Sequence, residues 1–332
     1  MHHLSYGDVK TAADRVAGGV RPVAVARADA GAAPGAAPEY ELYFALEFMQ
    51  HTGSFKARGA LNFLLAHRES GELPDTGVTI ASGGNAGLAC AWAARGLGVP
   101  ATVFLPETAP EVKVDRLRSY GAEVRLVGAE YAEAAAACEA FAEDTGALRS
   151  HAYDHPLIAA GAGTLVEEIR SQVPLVDTVV VSVGGGGLFA GVAAAAQHHG
   201  IRVVAVEPER CRALNAALEA GRVVDVAVDS VAADSLGARR ASPMALAAAG
   251  HRNVRSVLVR DEAVVAARRE LWEGYRLAVE NAAATAVAAV ASGATGAGEG
   301  AREGAPYVPS VGERVVVVLC GGNADPGDVI AS

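Results

Sequence analysis

The chain has 332 residues, of which 51% are apolar and 20% charged, and its formal net charge is −10. This composition is that of a globular protein with room for two lobes, because one core rarely grows beyond about 250–300 residues. The negative charge argues against nucleic acid or an anionic membrane surface as a partner, and no apolar stretch reaches the roughly 20 residues that span a bilayer.

The chain opens with MHHLSYGDVK, which lacks the charged-then-apolar layout of a secretory signal peptide. Short β-branched runs then alternate with alanine-rich amphipathic stretches. The expected strands cover residues 78–82, 101–105, 123–127, 178–183, 202–207 and 314–320. The expected helices cover residues 85–96, 110–120, 131–145, 156–172, 187–199, 210–221 and 261–292. Because most strand runs are apolar on both faces, they predict buried parallel strands and an α/β fold with one or more doubly wound sheets.

Two segments rich in small residues and proline or glycine, 30–39 and 292–312, are expected to be surface loops. The four cysteines are widely scattered and form no CxxC pair, so the sequence indicates neither a disulfide framework nor a zinc site. We therefore expect a cytoplasmic protein with reduced thiols.

A lysine stands between small and aromatic residues in the segment HTGSFKARGA (51–60). Lys56 could be an ordinary lysine on a solvated helix face, or it could be a nucleophile. The local sequence does not decide between the two.

The segment VVVSVGGGGLFAG (179–191) joins an expected strand to an expected helix through four consecutive glycines. Glycine permits close backbone approach, so several N–H groups can converge on an anion beside the positive end of the helix dipole. This predicts a phosphate cradle at Gly184–Gly187, with a plain tight turn as the simpler alternative. A nucleotide site also stays open, since Gly184 and Gly186 fit GxGxxG loosely and Glu207 follows about twenty residues later.

Two further turns follow expected strands. The turn ASGGNAG (81–87) offers several N–H groups, the Ser82 hydroxyl and the Asn85 amide, which could hold a small carboxylate, although Ser82 could equally be a helix cap. The run VVVVLC (315–320) places Cys320 at the carboxyl end of a strand, where ligands of open α/β sheets bind, unless this cysteine is simply a small buried hydrophobe. The three turns and the lysine together favour pyridoxal phosphate, which has a phosphate and an aldehyde that forms an imine with lysine.

With these motifs in this order, the chain resembles the fold-type II pyridoxal-phosphate enzymes and, within them, the serine/threonine dehydratases. The resemblance runs from about residue 20 to the C-terminus. It rests on HTGSFKARGALNFL, ASGGNAGLACAWAARGLGVPATVFLP, SVGGGGLFAGV, VAVEPE, SVAADSLG and VVVLCGGN. In motif the chain is closest to the mammalian-type L-serine dehydratases, which are lyases.

The resemblance implies a role for each matching residue. Lys56 would be the Schiff-base lysine and the base that takes the substrate Cα proton. Cofactor-binding residues would be Phe55, Lys56, Asn85, Gly184, Gly185, Gly186, Gly187, Leu188, Ser235, Glu280 and Cys320. The substrate carboxylate would be held by Ser82, Gly83, Asn85 and Ala86. A monovalent cation could be held by Glu207 and mostly backbone groups near Cys211, Leu236 and Ala238, with a purely local role for Glu207 as the alternative.

Three residues bear on the chemistry that the resemblance implies. Gly83 stands where the serine racemase branch has its acid/base serine, which argues against racemisation. Ala86 and Cys320 agree with the mammalian-type serine dehydratases. A thiol is a poor proton source for the ring nitrogen of the cofactor, which suits elimination better than transamination.

The implied reaction is the α,β-elimination of a β-hydroxy amino acid, such as L-serine or L-threonine, to the α-keto acid and ammonia. A dehydratase for a bulkier or acidic analogue, such as phenylserine or 3-hydroxyaspartate, stays open because Gly83 and Ala86 enlarge the site. A nucleotide-binding oxidoreductase and a non-catalytic binding protein of the same fold are the alternatives from other classes. The family architecture implies a large lobe (1–60 and 152–332), a small lobe (61–151) and a homodimer.

Overall fold

The computed structural model describes residues 4–29, 39–290, 307–325 and 327. Of the two expected surface loops, residues 30–38 and 292–306 lie outside the described part of the chain. The described residues form two sheets flanked by helices.

The strands and helices follow one another in the alternating order that the sequence predicts. The strands are β1 (Val25–Ala28), β2 (Glu41–Ala45), β3 (Val78–Ala81), β4 (Ala101–Leu105), β5 (Glu123–Leu126), β6 (Leu148–Arg149), β7 (Thr178–Ser182), β8 (Arg202–Pro208), β9 (Val254–Val259) and β10 (Arg314–Val318). The helices are α1 (Tyr6–Val16), α2 (Lys56–Glu69), α3 (Asn85–Leu97), α4 (Glu111–Ser119), α5 (Tyr131–Thr145), α6 (Pro156–Gly163), α7 (Leu165–Gln172), α8 (Gly187–His198), α9 (Ala213–Ala220), α10 (Ala233–Leu236), α11 (Pro243–Ala249), α12 (Asp261–Tyr275) and α13 (Asn281–Ala288).

The larger sheet has six strands in the order β1-β2-β10-β7-β8-β9, and all neighbours are parallel except β1 and β2. The smaller sheet has four parallel strands in the order β5-β4-β3-β6. The central strands β7 and β10 are almost entirely buried and consist mainly of valine, as expected when helices cover both faces of a sheet. The predicted α/β fold with two largely parallel sheets is therefore confirmed.

All six expected strands are present, but the sequence reasoning missed β1, β2, β6 and β9 and the helices α1, α2, α10 and α11. The expected single helix at 261–292 is wrong, because Arg276 takes a left-handed backbone conformation (φ 59°) that ends α12. The expected helix at 156–172 is likewise two helices, since α6 ends at Gly163 and α7 begins at Leu165.

The parallel register brings distant residues to one edge of the larger sheet. Val316 of β10 lies opposite Val179 of β7, so the chain leaves both strands at the same edge. The strands of the smaller sheet come from residues 78–149 and those of the larger sheet from both sides of that range. This strand membership agrees with a two-lobe division, and the lobe boundaries at 60/61 and 151/152 stay a prediction. No helix in the described ranges is long and apolar enough to cross a membrane.

Candidate active site

Lys56 is brought to the edge of the larger sheet by an unusual turn. Thr52 (φ 62°) and Gly53 (φ 76°) both have left-handed backbones, and for threonine that conformation is strained. The turn then joins the chain that leaves β10, because the Phe55 N–H donates to the Cys320 carbonyl at 3.0 Å. Helix α2 begins at Lys56, so the lysine lies where two chain segments converge.

The lysine side chain is partly buried and has a single hydrogen-bond acceptor among the described residues. Its Nζ donates to the Ala152 carbonyl at 2.9 Å and lies 4.8 Å from the centre of the Phe55 ring. Burial lowers the pKa of Lys56 to about 8, against 10.5 for an ordinary lysine, and the nearby Cys320 and Glu280 oppose that shift only in part. A lysine with this pKa is a far better nucleophile at neutral pH than a lysine on the surface.

Cys320 lies just beyond β10, with its Sγ atom 3.5 Å from the Ser182 hydroxyl at the end of β7. Burial raises the pKa of this thiol to about 12, so it stays protonated and neutral near pH 7. The Cys320 side chain is only 4% exposed. If Cys320 meets the ring nitrogen of a cofactor, as predicted, it would do so as a neutral thiol.

Three of the four glycines, Gly185–Gly187, are packed so closely that a side chain would not fit without moving its neighbours. A Cβ atom on Gly185 would lie 2.3 Å from the Tyr153 ring, and one on Gly186, where φ is 92°, would lie 2.3 Å from the Ala245 Cβ. Across the described ranges, the backbone N–H groups from Gly184 to Leu188 donate no hydrogen bond to another residue. Unpaired buried N–H groups are costly, and an anion at the N-terminus of α8 would satisfy them. The residues present therefore fit a bound phosphate group.

The turn that follows β3 holds the residues predicted to bind the substrate carboxylate. The Asn85 Nδ2 donates to both carboxylate oxygens of Glu280, at 2.9 and 3.0 Å, and its Oδ1 accepts from the Asn323 Nδ2 at 2.6 Å. Burial raises the pKa of Glu280, although the hydrogen bonds from Asn85 and from the Asn323 N–H oppose the shift. Asn85 and Glu280 thus contact each other, and their roles toward a cofactor stay predictions. Asn323, which follows Gly321 and Gly322, is a partner that the sequence reasoning did not identify.

A narrow cleft connects several of these elements. Five of the predicted cofactor and substrate residues line it: Phe55, Lys56, Ala86, Gly187 and Leu188. The remaining lining residues, which the sequence did not single out, are Gly59, Ala60, Ala89, Ser150, His151, Ala152, Ile158 and Ala162. The cleft therefore joins the lysine to the N-termini of α3 and α8, and the individual roles of the lining residues stay predictions.

The predicted segment Ser235–Leu236 lies beside the glycine turn, since a Cβ atom on Gly184 would come within 3.1 Å of the Leu236 Cα. Glu207 lies at the end of β8, and its two carboxylate oxygens accept hydrogen bonds from the N–H groups of Leu214 and Asn215, at 2.7 and 2.8 Å. These are the local partners that the sequence left open as the alternative to a cation site.

Burial raises the pKa of Glu207 to about 7. The described residues contain no group of three or more His, Cys, Asp or Glu side chains that could hold a metal ion. The predicted monovalent site relies mostly on backbone carbonyl groups near Cys211, Leu236 and Ala238, and it stays a prediction.

A buried ion-pair network that the sequence reasoning missed anchors the start of α2. Arg58 is completely buried and bonds bidentately to Glu47 (2.6 and 2.9 Å) and to Glu168 (2.7 and 2.8 Å). It also donates to the Thr164 hydroxyl at 3.1 Å. Because Arg58 lies two residues after Lys56, the network fixes the backbone that carries the lysine. An arginine inside an otherwise apolar helix segment was the only sequence indication of it.

Comparison with known protein families agrees with this geometry. A sequence model described as "Pyridoxal-phosphate dependent enzyme" matches residues 19–321. The chain is 37% identical over 286 residues to an L-threonine ammonia-lyase of Geobacter sulfurreducens, covering 86% of this chain and 67% of the relative. It is 36% identical over 286 residues to a serine dehydratase-like protein of Homo sapiens, covering 85% of each chain.

Solved structures show the same fold. A pyridoxal 5'-phosphate-dependent aspartate racemase superimposes with a TM-score of 0.87 at 29% identity, covering 100% of this chain and 99% of that chain. The processed form of threonine deaminase isoform 2 from Solanum lycopersicum superimposes with a TM-score of 0.83 at 26% identity, covering 98% of this chain and 85% of that chain.

Proposed function

This chain belongs to the family of pyridoxal-phosphate dependent enzymes, and from that premise we propose that it is an ammonia-lyase for a β-hydroxy amino acid. The reaction is an α,β-elimination that converts L-serine or L-threonine to the α-keto acid and ammonia. The observation that carries the proposal is Lys56, a lysine of lowered pKa in a cleft that also contains unpaired N–H groups at the start of α8. Relatives named L-threonine ammonia-lyase and serine dehydratase-like support the choice of substrate class. Family membership does not favour the nucleotide-binding oxidoreductase.

Pyridoxal phosphate, when bound, supplies an electron sink that acidifies the substrate Cα–H. The N–H groups from Gly184 to Leu188 would hold its phosphate, and Lys56 would bond to its aldehyde carbon. Phe55 and the Ser235–Leu236 segment would flank its ring. These assignments are supported by the cleft, which Phe55, Lys56, Gly187 and Leu188 line, and by the position of Leu236 beside Gly184.

Lys56 is also suited to act as the base. At a pH near its pKa of about 8, about half of the free lysine is neutral and can take a proton from the substrate Cα. The Ala152 carbonyl, 2.9 Å from Nζ, holds the amine in the cleft, so the base is in position before the substrate binds. Cys320 remains a neutral thiol with a pKa of about 12, and so it places no full charge beside the reacting groups.

The turn from Ser82 to Ala86 is the proposed binding site for the substrate carboxylate. It offers the Ser82 hydroxyl and the N–H groups at the start of α3, a combination that favours small anions. The Asn85 amide is held by Glu280, so the turn has a fixed shape. A side chain at position 83 would press on Leu105, because a Cβ atom on Gly83 would lie 2.8 Å from the Leu105 Cδ2. Glycine at this position also lacks the hydroxyl that a racemase would need.

The test uses purified protein loaded with pyridoxal phosphate and a panel of β-hydroxy amino acids. We expect keto acid and ammonia from L-serine or L-threonine, and loss of at least about 1,000-fold in rate for Lys56→Ala, since the residue would serve both as cofactor anchor and as base. Lys113→Ala is the control, because that lysine is exposed and pairs with Asp234. Keto acid production by Lys56→Ala at the parent rate would refute the proposal. Including phenylserine and 3-hydroxyaspartate decides whether a bulkier or acidic substrate is preferred.

We further propose a cytoplasmic homodimer that binds neither nucleic acid nor membrane. The dimer rests on the family resemblance, and the location is supported by four buried free cysteines, Cys90, Cys138, Cys211 and Cys320. The net charge of −10 supports the absence of a nucleic-acid partner. Sedimentation velocity of the purified protein tests the dimer directly.

A further inference from the structure

The segment 150–154, named here the crossing segment, runs between the lysine and the glycine turn. Its Ala152 carbonyl accepts the hydrogen bond from Lys56 at 2.9 Å. Its Tyr153 contacts the glycine turn twice. A Cβ atom on Gly185 would lie 2.3 Å from the Tyr153 ring, and a Cβ atom on Gly187 would lie 2.8 Å from the Tyr153 carbonyl oxygen. The crossing segment thus touches both halves of the proposed cofactor site.

His151 is the titratable side chain of this segment that lines the cleft. Its Nδ1 atom lies 2.8 Å from the Asp154 N–H nitrogen and 3.2 Å from that of Tyr153, so it accepts hydrogen bonds from both. A ring nitrogen that accepts hydrogen bonds carries no proton. The hydrogen of a neutral His151 is therefore on Nε2, and the local backbone fixes this tautomer.

The neutral form of His151 is also favoured by its surroundings. Burial lowers the pKa of the imidazole, and the positive charges of Arg149 and Lys56 lower it further, against the opposing effect of Asp154. The ring packs edge-on against the Tyr153 ring, with centroids 4.9 Å apart, so it cannot turn freely. In the part of the chain that the structure describes, no residue accepts a hydrogen bond from Nε2.

We propose that His151 is an additional cofactor-binding residue, whose Nε2–H donates a hydrogen bond to the phosphate of pyridoxal phosphate. The phosphate is the acceptor we assign, because His151 lines the same cleft as Gly187 and Leu188. The Tyr153 ring, which contacts the His151 ring, also packs on the glycine turn. A neutral donor with a fixed tautomer complements the backbone N–H groups of the glycine turn without adding a second cation beside Lys56. This inference rests on the cofactor of the family and not on the substrate, so it and the proposed ammonia-lyase activity can fail independently.

His151→Asn separates the proposed role from a structural one. The Asn Oδ1 can take the place of Nδ1 and accept the N–H groups of Tyr153 and Asp154, as asparagine commonly does in turns, but it leaves no donor at the position of Nε2. Apoprotein of wild type and variant is titrated with pyridoxal phosphate and with pyridoxal, and the change in protein fluorescence gives both dissociation constants. Both ligands can bond to Lys56, and only one of them has a phosphate.

We expect His151→Asn to weaken pyridoxal phosphate binding by about 10- to 100-fold, the usual effect of losing one hydrogen bond to a charged group, and to leave pyridoxal binding unchanged. His151→Gln, whose side-chain amide can offer an N–H group near the Nε2 position, should recover part of the loss. Equal weakening of both ligands, or no weakening of either, would overturn the proposal.

A second measurement needs no variant. In wild-type protein labelled with ¹⁵N-histidine, the Nε2–H proton of His151 should move downfield on binding pyridoxal phosphate but not on binding pyridoxal. An identical proton shift with the two ligands would also overturn the proposal.

Discussion

The lowered pKa of Lys56 can be tested by removing a charge that acts on it. The Glu280 carboxylate raises this pKa, so Glu280→Gln should move it below its wild-type value of about 8. Glutamine keeps an oxygen that can accept from Asn85, so the hydrogen-bonded contact across the site can persist. The substitution therefore changes the charge near the lysine more than it changes the packing.

The size of the effect follows from the fraction of Lys56 that is neutral. At pH 7.5 a lysine with a pKa of about 8 is about 24% neutral, whereas one with the ordinary pKa of 10.5 is about 0.1% neutral, a difference of roughly 200-fold. Because the neutral fraction cannot exceed one, Glu280→Gln can accelerate attack by Lys56 at pH 7.5 by at most about fourfold.

The assay is rapid mixing of apoprotein with pyridoxal phosphate, followed by the visible absorbance of the bound cofactor between pH 7 and pH 10. The wild-type rate should rise with pH and level off above about 8, and the Glu280→Gln rate should level off at a lower pH. Glu207→Gln is the matched control, since Glu207 is as deeply buried but is not among the groups that act on Lys56. A wild-type rate that is still rising at pH 10, or a Glu280→Gln curve displaced to higher pH, would refute the reasoning.

Three further predictions concern stability, each measured by urea unfolding. Arg58→Met should lower the free energy of unfolding by about 3–5 kcal/mol, because it leaves the buried Glu47 carboxylate without its partner. The control, Arg118→Ala, should cost less than about 1 kcal/mol, since the Arg118–Asp115 ion pair is exposed. A similar loss in both variants would contradict the buried network. The pKa of Glu207 is raised to about 7 in the folded state, so between pH 4.5 and 7 the folded state binds one proton more than the unfolded state. The free energy of unfolding of the wild type should therefore fall relative to that of Glu207→Gln as the pH rises from 4.5 to 7, by a total on the order of 3 kcal/mol. A parallel pH dependence of the two proteins would exclude this. Gly186→Ala should destabilise by more than about 1 kcal/mol because of its left-handed backbone and the 2.3 Å contact, whereas Gly96→Ala, in open space within α3, should stabilise slightly. Equal effects would argue against the tight packing of the glycine turn.

The sequence determined the architecture and the family because both depend on local patterns. Short valine-rich runs such as 178–183 and 314–320 favour buried strands, because they are brief and rich in β-branched residues. Four consecutive glycines before a helix have few structural uses. Comparison with known families confirms the pyridoxal-phosphate dependent class that these motifs indicated. The short or half-exposed strands β1 and β9 were missed, since their alternation is too brief or too irregular to stand out.

The tertiary structure decided how the functional groups are tuned. Lys56 receives its lowered pKa from burial and its hydrogen-bond acceptor from Ala152, which is 96 residues away. The Asn85 amide is held by Glu280 and Asn323, and no local pattern in the sequence joins those three positions.

His151 has no motif of its own, and only the fold shows that its Nδ1 is occupied and that its ring lines the cleft. The sequence thus specified which chemistry the chain is built for, because catalytic residue types recur in fixed motifs. Burial, tautomers and hydrogen-bond partners depend on contacts between residues far apart in the chain, and these exist only once the two sheets and their helices have packed together.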